Sequence, residues 1–306
     1  MIKVKLIYNP SSGNGNFKNH LDYIIDRFQE REMQIEPYRI NKKESMDRML
    51  IHLKDREKEY NKVLIVGGDG TLHQVFNGLL KYDIDLPVGI IPAGTANDYA
   101  RYLNLPNTME ALIDILLEDH YILSDVGFMN GKYFINVASV GNLIDISQKT
   151  KPELKNNLGI LAYYIHGISE LVNLKSFFIK ITSEQMSYEG EIYFMILMNG
   201  KSAGGFHKIA PKASICDGLL EVVVFKKCPV YEFASLLLSV LQGEHIHNEH
   251  VMYFKTDEIS ITCDEKVGTD LDGEAGASFP LKVQVIPNKL KILTPISEKE
   301  MDGKLT

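Results

Sequence analysis

Carboxylates set among glycines recur along this chain, and each such cluster is capable of chemistry. Asp69 sits inside Gly67-Gly68-Asp69-Gly70-Thr71, after the apolar run 63–66 and before Leu72-His73. A glycine-rich turn feeding a helix N-terminus presents backbone N–H groups and a positive dipole end, which suits a phosphate. A carboxylate there repels phosphate unless a cation lies between them, so a Mg²⁺-nucleotide site reconciles the two; a tight Asp-Gly turn is the plainer alternative. Asn9-Pro10-Ser11-Ser12-Gly13 and Gly94-Thr95-Ala96-Asn97-Asp98 are two further loops of this kind. Each, taken singly, also reads as an ordinary turn or helix cap.

The second half holds two more carboxylate loops. Thr269-Asp270-Leu271-Asp272-Gly273-Glu274 could supply a base that accepts a proton from a bound hydroxyl during attack on phosphorus. In isolation it reads better as a hairpin, for which Asp-Gly is a strong signal. In Ser214-Ile215-Cys216-Asp217-Gly218-Leu219, Asp217 and neighbouring carbonyls could hold a hard cation, though a plain turn is again the better isolated reading. His245, His247 and His250 fall in a polar run after a helix and read as a solvated loop, with no metal assigned.

The elements that would position these residues follow from periodicity. The run 63–66 predicts a buried strand, and Leu72, Val75, Phe76 and Leu79 recur at helical spacing behind it. A strand opens the chain at 1–8, and a helix follows with Leu21, Ile24, Ile25 and Phe28 on one face. An extended piece at 33–40, a polar helix at 44–59, an apolar run at 88–91 and helices from near Asn97 and over 108–118 complete the first half. Alternating strands and helices predict a parallel sheet with helices on both faces. In such sheets ligands collect outside the carboxyl ends of strands, so the loops after Tyr8, Val66 and Ile91 can share one crevice.

Strands outnumber helices from Val126 onward: 132–137, 177–182, 190–198, 219–225, 258–263, 267–271, 281–286 and 290–293, with helices at 159–174 and 230–241. This density predicts an antiparallel sandwich or barrel. The expected fold is thus α/β plus β, with an N-terminal α/β domain over 1–124, which the final 289–306 can rejoin, and a β-rich domain over 125–288.

Bulk properties narrow the function. The 306 residues are 45% hydrophobic and 24% charged, a globular composition. A net charge of −7 argues against nucleic acid as a partner. Cys216, Cys228 and Cys263 form no CxxC pair, which fits a reducing cytoplasm. The first residues lack the apolar core of a signal peptide, and 233–241 is too short to span a bilayer, so any membrane would be met from its surface. Lys208, Lys212, Lys226 and Lys227, like Lys149, Lys151 and Lys155, read as solvated surface; attraction to anionic headgroups is the minority reading. No GxxxxGK[ST] segment is present, which excludes a P-loop kinase, and no GxGxxG follows the first strand, which disfavours a dinucleotide dehydrogenase.

In order and over nearly the whole chain, these pieces resemble the bacterial soluble diacylglycerol kinases and related lipid kinases, within the superfamily that includes sphingosine kinase and NAD kinase. The matching residues are Asn9-Pro10-Ser11-Ser12-Gly13, Gly67 to Thr71, Gly94-Thr95-Ala96-Asn97-Asp98, Tyr133-Phe134-Ile135-Asn136, Cys216-Asp217-Gly218 and Asp272-Gly273-Glu274. The resemblance implies an active site in the cleft between the two domains, ATP as donor and Mg²⁺ as cofactor. It also implies a lipid acceptor presented at the membrane surface, and it allows a homodimer. Carried over by residue, Asn9, Gly67, Gly68, Asp69, Gly70, Thr71, Leu72, His73 and Thr95 would cradle the nucleotide. Glu274 would be the general base, Asp69 and Asp98 would organise metal, water and phosphate, and Ser214, Asp217 and Leu219 would hold a structural Mg²⁺. The family's frequent threonine after the second strand is Asn41 here, within Arg39-Ile40-Asn41. Diacylglycerol is the leading acceptor. A NAD kinase shares the Gly-Gly-Asp-Gly block and is the second reading; a nucleotide-binding regulator without catalysis is the third. Phe177, Phe178, Phe206 and the run 160–174 are candidates for apolar cover over acyl chains.

Overall fold

A computed structural model of the chain describes residues 2–13, 15–41, 43–141, 175–204, 206 and 208–295. The helix expected at 159–174, the cover expected from 160–174, Lys149, Lys151 and Lys155, and the tail 296–306 lie outside the described residues. The chain divides into two compact units, 1–126 with 287–306, and 127–286.

The first unit alternates strand and helix: β1 (Ile2–Tyr8), α1 (Leu21–Gln29), β2 (Met33–Arg39), α2 (Lys43–Asp55), β3 (Tyr60–Gly67), α3 (Asp69–Lys81), β4 (Val88–Pro92), α4 (Asp98–Tyr102), α5 (Met109–Leu117) and the start of β5 (Tyr121–Met129). The parallel order is β2-β1-β3-β4, with Ile65 of β3 beside Ile7 of β1 and Ile90 of β4. Strands buried on both faces read as continuous apolar runs, as 63–66 does. Ile24 and Phe28 of α1 and Leu112, Ile113 and Leu116 of α5 pack on Val4, Leu6, Leu64, Val66 and Ile91. Leu72, Val75, Phe76 and Leu79 of α3 are all buried, and each such side chain stabilises the fold by about 1.5–3 kcal/mol. Thr108 caps α5 by accepting from the Ala111 amide at 3.4 Å. At the far end of α5, the fully buried Lys62 of β3 donates to the Leu116 and Glu118 carbonyls, both at 3.0 Å, and pairs with Asp119 at 2.8 Å. A cation there also complements the helix dipole.

Among the described residues the strand pairs within the second unit are antiparallel. It holds the end of β5, β6 (Lys132–Phe134), β7 (Val137–Gly141), β8 (Phe177–Thr182), β9 (Ser187–Met198), β10 (Leu220–Lys226), α6 (Val230–Gln242), β11 (Val251–Thr256), β12 (Glu258–Thr262), β13 (Thr269–Leu271) and β14 (Glu274–Ala275). The start of β15 (Leu281–Leu293) completes it. The order runs β14-β13-β7-β9-β8-β12-β15. The long β9 serves two ladders: its first half pairs with β8, and its second half lies between β7 and β10. One core gathers Ile179, Ile181, Leu197, Val222, Val224 and Val283; another gathers Phe194, Phe225, Phe233, Leu236 and Val240 beneath α6. Gly243, at φ 81°, ends α6 in the left-handed conformation that glycine adopts without strain.

Two strand expectations are corrected. The stretch 132–137 is not one strand: β6 stops at Phe134 and β7 starts at Val137, because the Asp272 carboxylate draws the intervening amides out of any ladder. Conversely 281–286 and 290–293 are one strand, β15, running through Pro287 and Asn288. The Asn288 amide is satisfied by Asp125 Oδ1 at 2.8 Å, so the chain need not leave the strand at that point.

Candidate active site

Three loops gather at the carboxyl ends of β1, β3 and β4. Asn9 leaves β1 with its amide on the Val66 carbonyl at 3.1 Å. Its side chain donates from Nδ2 to Thr71 Oγ1 at 3.1 Å and accepts the Ser11 amide at 3.0 Å. The β1 loop is thereby tied to the first turn of α3. Asp69 and Gly70 hold the first two helical positions, whose amides no intrahelical carbonyl reaches. A Cβ on Gly68 would stand 2.9 Å from the Gly94 Cα, so the β3 and β4 loops touch through bare backbone. Around Gly70 nothing lies within 4 Å of such a Cβ, leaving open space over the helix N-terminus.

The β4 loop is fixed by Asn97, in the left-handed region at φ 52°, whose Oδ1 accepts the Gly94 amide at 2.8 Å and whose Nδ2 returns to the Gly94 carbonyl at 3.0 Å. Asp69 Oδ1 accepts the Tyr99 amide at 3.3 Å. That bond brings Asp69, half-buried, next to the turn carrying the buried Asp98. Tyr99 is held in turn by Ser124, at 3.0 Å between oxygens, and by the edge of Phe76. Leu72 turns its side chain into the core and can meet a ligand only through its backbone. His73 is partly exposed one residue on, its carbonyl accepting from Asn77. Thr95 is exposed at the loop tip. Asn41 is exposed and accepts a hydrogen bond from Arg39 through its Oδ1.

In the second unit Glu274 opens β14, exposed, directly after a two-residue turn in which Asp272 (φ 51°) and Gly273 (φ 93°) are both left-handed. This is the type I′ hairpin that Asp-Gly signals, with Leu271 opposite Glu274. Hairpin and candidate base are therefore the same object. Asp272 accepts the amides of Ile135 (2.6 Å), Asn136 (3.0 Å) and Val137 (2.8 Å). Asp272 entered the sequence reading only as part of its motif, with no role of its own, and Asp125, a buried carboxylate of the first unit, was not singled out as a site residue. The signal for Asp272 was its place before Gly273, since Asp tolerates the positive φ that an Asp-Gly hairpin turn requires.

The cation site expected at Ser214, Asp217 and Leu219 meets a different arrangement. Asp217 Oδ1 accepts the Leu219 amide at 3.1 Å, and Oδ2 takes the Lys255 ammonium at 2.8 Å. Lys255 also donates to the Lys212 carbonyl at 3.0 Å and pairs with the buried Glu221 at 2.9 Å. Burial pulls the Lys255 ammonium down, but Asp217 and Glu221 outweigh it and hold the group above its usual range. Tyr253 beside them is pushed up by burial and by Glu221. The positive charge beside Asp217 in this structure is thus a lysine of the chain itself. Of the acyl-cover candidates, Phe177 is buried in the sandwich, Phe206 packs against the core under α6, and Phe178 is exposed.

Residues 3–129 match the family described as the diacylglycerol kinase catalytic domain, and residues 140–294 match the YegS C-terminal NAD kinase beta sandwich-like domain. A diacylglycerol kinase of Bacillus subtilis is 31% identical over 306 residues, covering 98% of this chain and 99% of the relative. One from Staphylococcus carnosus is 30% identical over 300 residues, with 98% and 97% covered. A Bacillus anthracis crystal structure shares the fold at a TM-score of 0.81 and 25% identity, with 95% of each chain covered. A catalytic α/β half followed by a β-sandwich-like half defines a kinase of two domains. The chain belongs to the diacylglycerol kinase family.

Proposed function

We propose that the chain is an ATP-dependent lipid kinase that moves the γ-phosphoryl group of ATP to the hydroxyl of diacylglycerol, giving phosphatidic acid. The observation that carries this reading is the Asp69–Tyr99 hydrogen bond, which sets two carboxylates, Asp69 and Asp98, beside a glycine cradle open at Gly70. Phosphoryl transfer needs little covalent help and much positioning and charge neutralisation. Asn9, Gly67, Gly68, Gly70, Thr71, Leu72, His73 and Thr95 border the nucleotide, with the first turn of α3 aimed at its phosphates. The all-oxygen donor pair Asp69 and Asp98 suits Mg²⁺, which offsets phosphate charge when bound. Glu274 takes the proton of the acceptor hydroxyl as its oxygen bonds to the γ-phosphorus and the bond to the ADP oxygen breaks.

Among the described residues no helix is long and apolar enough to cross a membrane, which supports a kinase that meets its lipid at the membrane surface from the cytoplasm. The test is label transfer from ATP to diacylglycerol, phosphatidylglycerol, ceramide, sphingosine and NAD, with lipids in mixed micelles. Label on diacylglycerol is the expected result. Label on NAD and on no lipid overturns the reading, and label on another lipid keeps the mechanism and changes the substrate.

A further inference from the structure

Glu274 is exposed, and among the described residues nothing bonds its carboxylate. Its place therefore depends on the backbone of the turn before it. That turn needs positive φ at Asp272, a conformation uncommon outside glycine that Asp tolerates and that its surroundings can fix. What holds it is the Asp272 carboxylate, with Oδ2 on the Ile135 amide and Oδ1 on those of Asn136 and Val137, while the Asp272 amide donates to the Val137 carbonyl at 2.9 Å. The gripped segment is itself anchored. The Asn136 carbonyl accepts the Asn199 amide at 2.8 Å, Asn136 Nδ2 donates to the Ser202 carbonyl at 2.8 Å, and Asn199 Nδ2 donates to the Ile135 carbonyl at 2.8 Å. Amide bonds to a charged acceptor are roughly twice as strong as neutral ones.

We propose that Asp272 is a positioning residue for the base, its carboxylate clamping the 135–137 corner so that Glu274 is presented in one orientation; this rests on the assignment of Glu274 as general base. Lys132 closes the other limb of the hairpin by donating to the Ala275 and Gly276 carbonyls at 2.9 and 3.2 Å. Asp272 makes both oxygens acceptors, which an amide cannot do. Asp272→Asn must turn an NH₂ either toward the Ile135 amide or toward the other two, and the clamp opens on one side.

The experiment is a double-mutant cycle on kcat, with KM for ATP measured in parallel. Misplacing a catalytic group by about 1 Å costs up to roughly a hundredfold, so Asp272→Asn is expected to lower kcat by about ten- to a hundredfold with KM for ATP held within about twofold. In a Glu274→Gln background the same change is expected to cost nothing further, because groups acting as one unit are not additive. Equal losses in both backgrounds, or no loss in either, overturn the proposal. Undiminished turnover in Glu274→Gln alone shows instead that the base assignment has failed. Should Asp272→Asn not fold, Lys132→Met, an exposed change to the same hairpin, must reproduce the pattern; a loss independent of Glu274 there overturns the proposal equally.

Discussion

Gly68 and Gly94 meet backbone to backbone, close enough that an ideal Cβ on Gly68 would fall 2.9 Å from the Gly94 Cα, and one on Gly94 would fall 2.8 Å from Asn97 Oδ1. The β3 and β4 loops are therefore one surface only while both positions carry no side chain. Gly94→Ala should separate them, at about 1–3 kcal/mol of overpacking, lowering the melting temperature and raising KM for ATP together. Gly70→Ala should behave oppositely on stability. Its methyl meets no atom within 4 Å and alanine favours the helix by about 1 kcal/mol, so the melting temperature should hold or rise while KM for ATP increases. Thermal unfolding and initial-rate kinetics on the two variants decide this.

Asn9 links two loops through a donor at Nδ2 and an acceptor at Oδ1. Asn9→Asp keeps the acceptor for Ser11, reverses the bond to Thr71, whose hydroxyl must then donate, and sets a negative charge at the edge of the cradle. We expect KM for ATP to rise at least about tenfold, a change of roughly 1.4 kcal/mol, with kcat at saturating ATP nearly kept. An unchanged KM would remove Asn9 from the nucleotide site.

Lys255 is the cation of the Asp217 loop, and Glu221, almost fully buried, depends on it. Lys255→Met should cost about 3 kcal/mol, the usual order for leaving a buried charge uncompensated, and Glu221→Gln added to it should restore part of that. Mg²⁺ without nucleotide should leave the melting temperature of the unmodified protein unchanged. A Mg²⁺-dependent rise that Asp217→Ala abolishes would place a divalent ion at Asp217.

His245 predicts a pH dependence of stability. It is fully buried, its Nε2 donating to the Ile209 carbonyl at 2.9 Å and its ring parallel to Phe225, while Nδ1 finds no partner among the described residues. Burial lowers its pKa; the Ile209 bond opposes this and nearby His247 adds to it. A base whose folded pKa is depressed binds its proton more readily when unfolded. Its contribution is therefore complete above about pH 6.5 and is lost below that, by up to about 1.4 kcal/mol per pH unit. Melting temperatures between pH 7.5 and 5 should fall more gently in His245→Gln than in the parent protein. Parallel curves would locate the acid sensitivity elsewhere.

Local pattern made most of the first unit legible. The runs 63–66 and 88–91 are strands on both flanks of which the chain alternates, and Leu72, Val75, Phe76 and Leu79 face inward as their spacing requires. The three loops that gather were each ordinary alone, and only their common position at strand ends marked them. What stayed hidden depended on partners far along the chain. The break between Phe134 and Val137 is made by Asp272, 136 or 137 residues away for the first two amides it binds. The charge on Asp217 is answered by Lys255, 38 residues on. No window of local sequence contains either pair, and an Asp-Gly turn looks the same whether its carboxylate faces water, an amide or an ammonium. That 281–286 and 290–293 form one strand was hidden for the same reason, since the Asp125 carboxylate that satisfies the Asn288 amide is 163 residues upstream.

The last strand imposes an order of events on synthesis. The first unit is discontinuous: its residues 287–306 follow the whole of the second. Ile292 pairs with Val88 at the β4 edge, the Asn288 amide reaches Asp125, and His120 Nδ1 lies 2.9 Å from the Thr294 carbonyl. As the polypeptide emerges from the ribosome, the β4 edge thus waits for some two hundred further residues before its neighbour exists. Until then it is an open, apolar strand edge of the kind that recruits foreign chains. Nascent copies truncated before Leu290 should accordingly demand holdase chaperones that the finished enzyme has no use for.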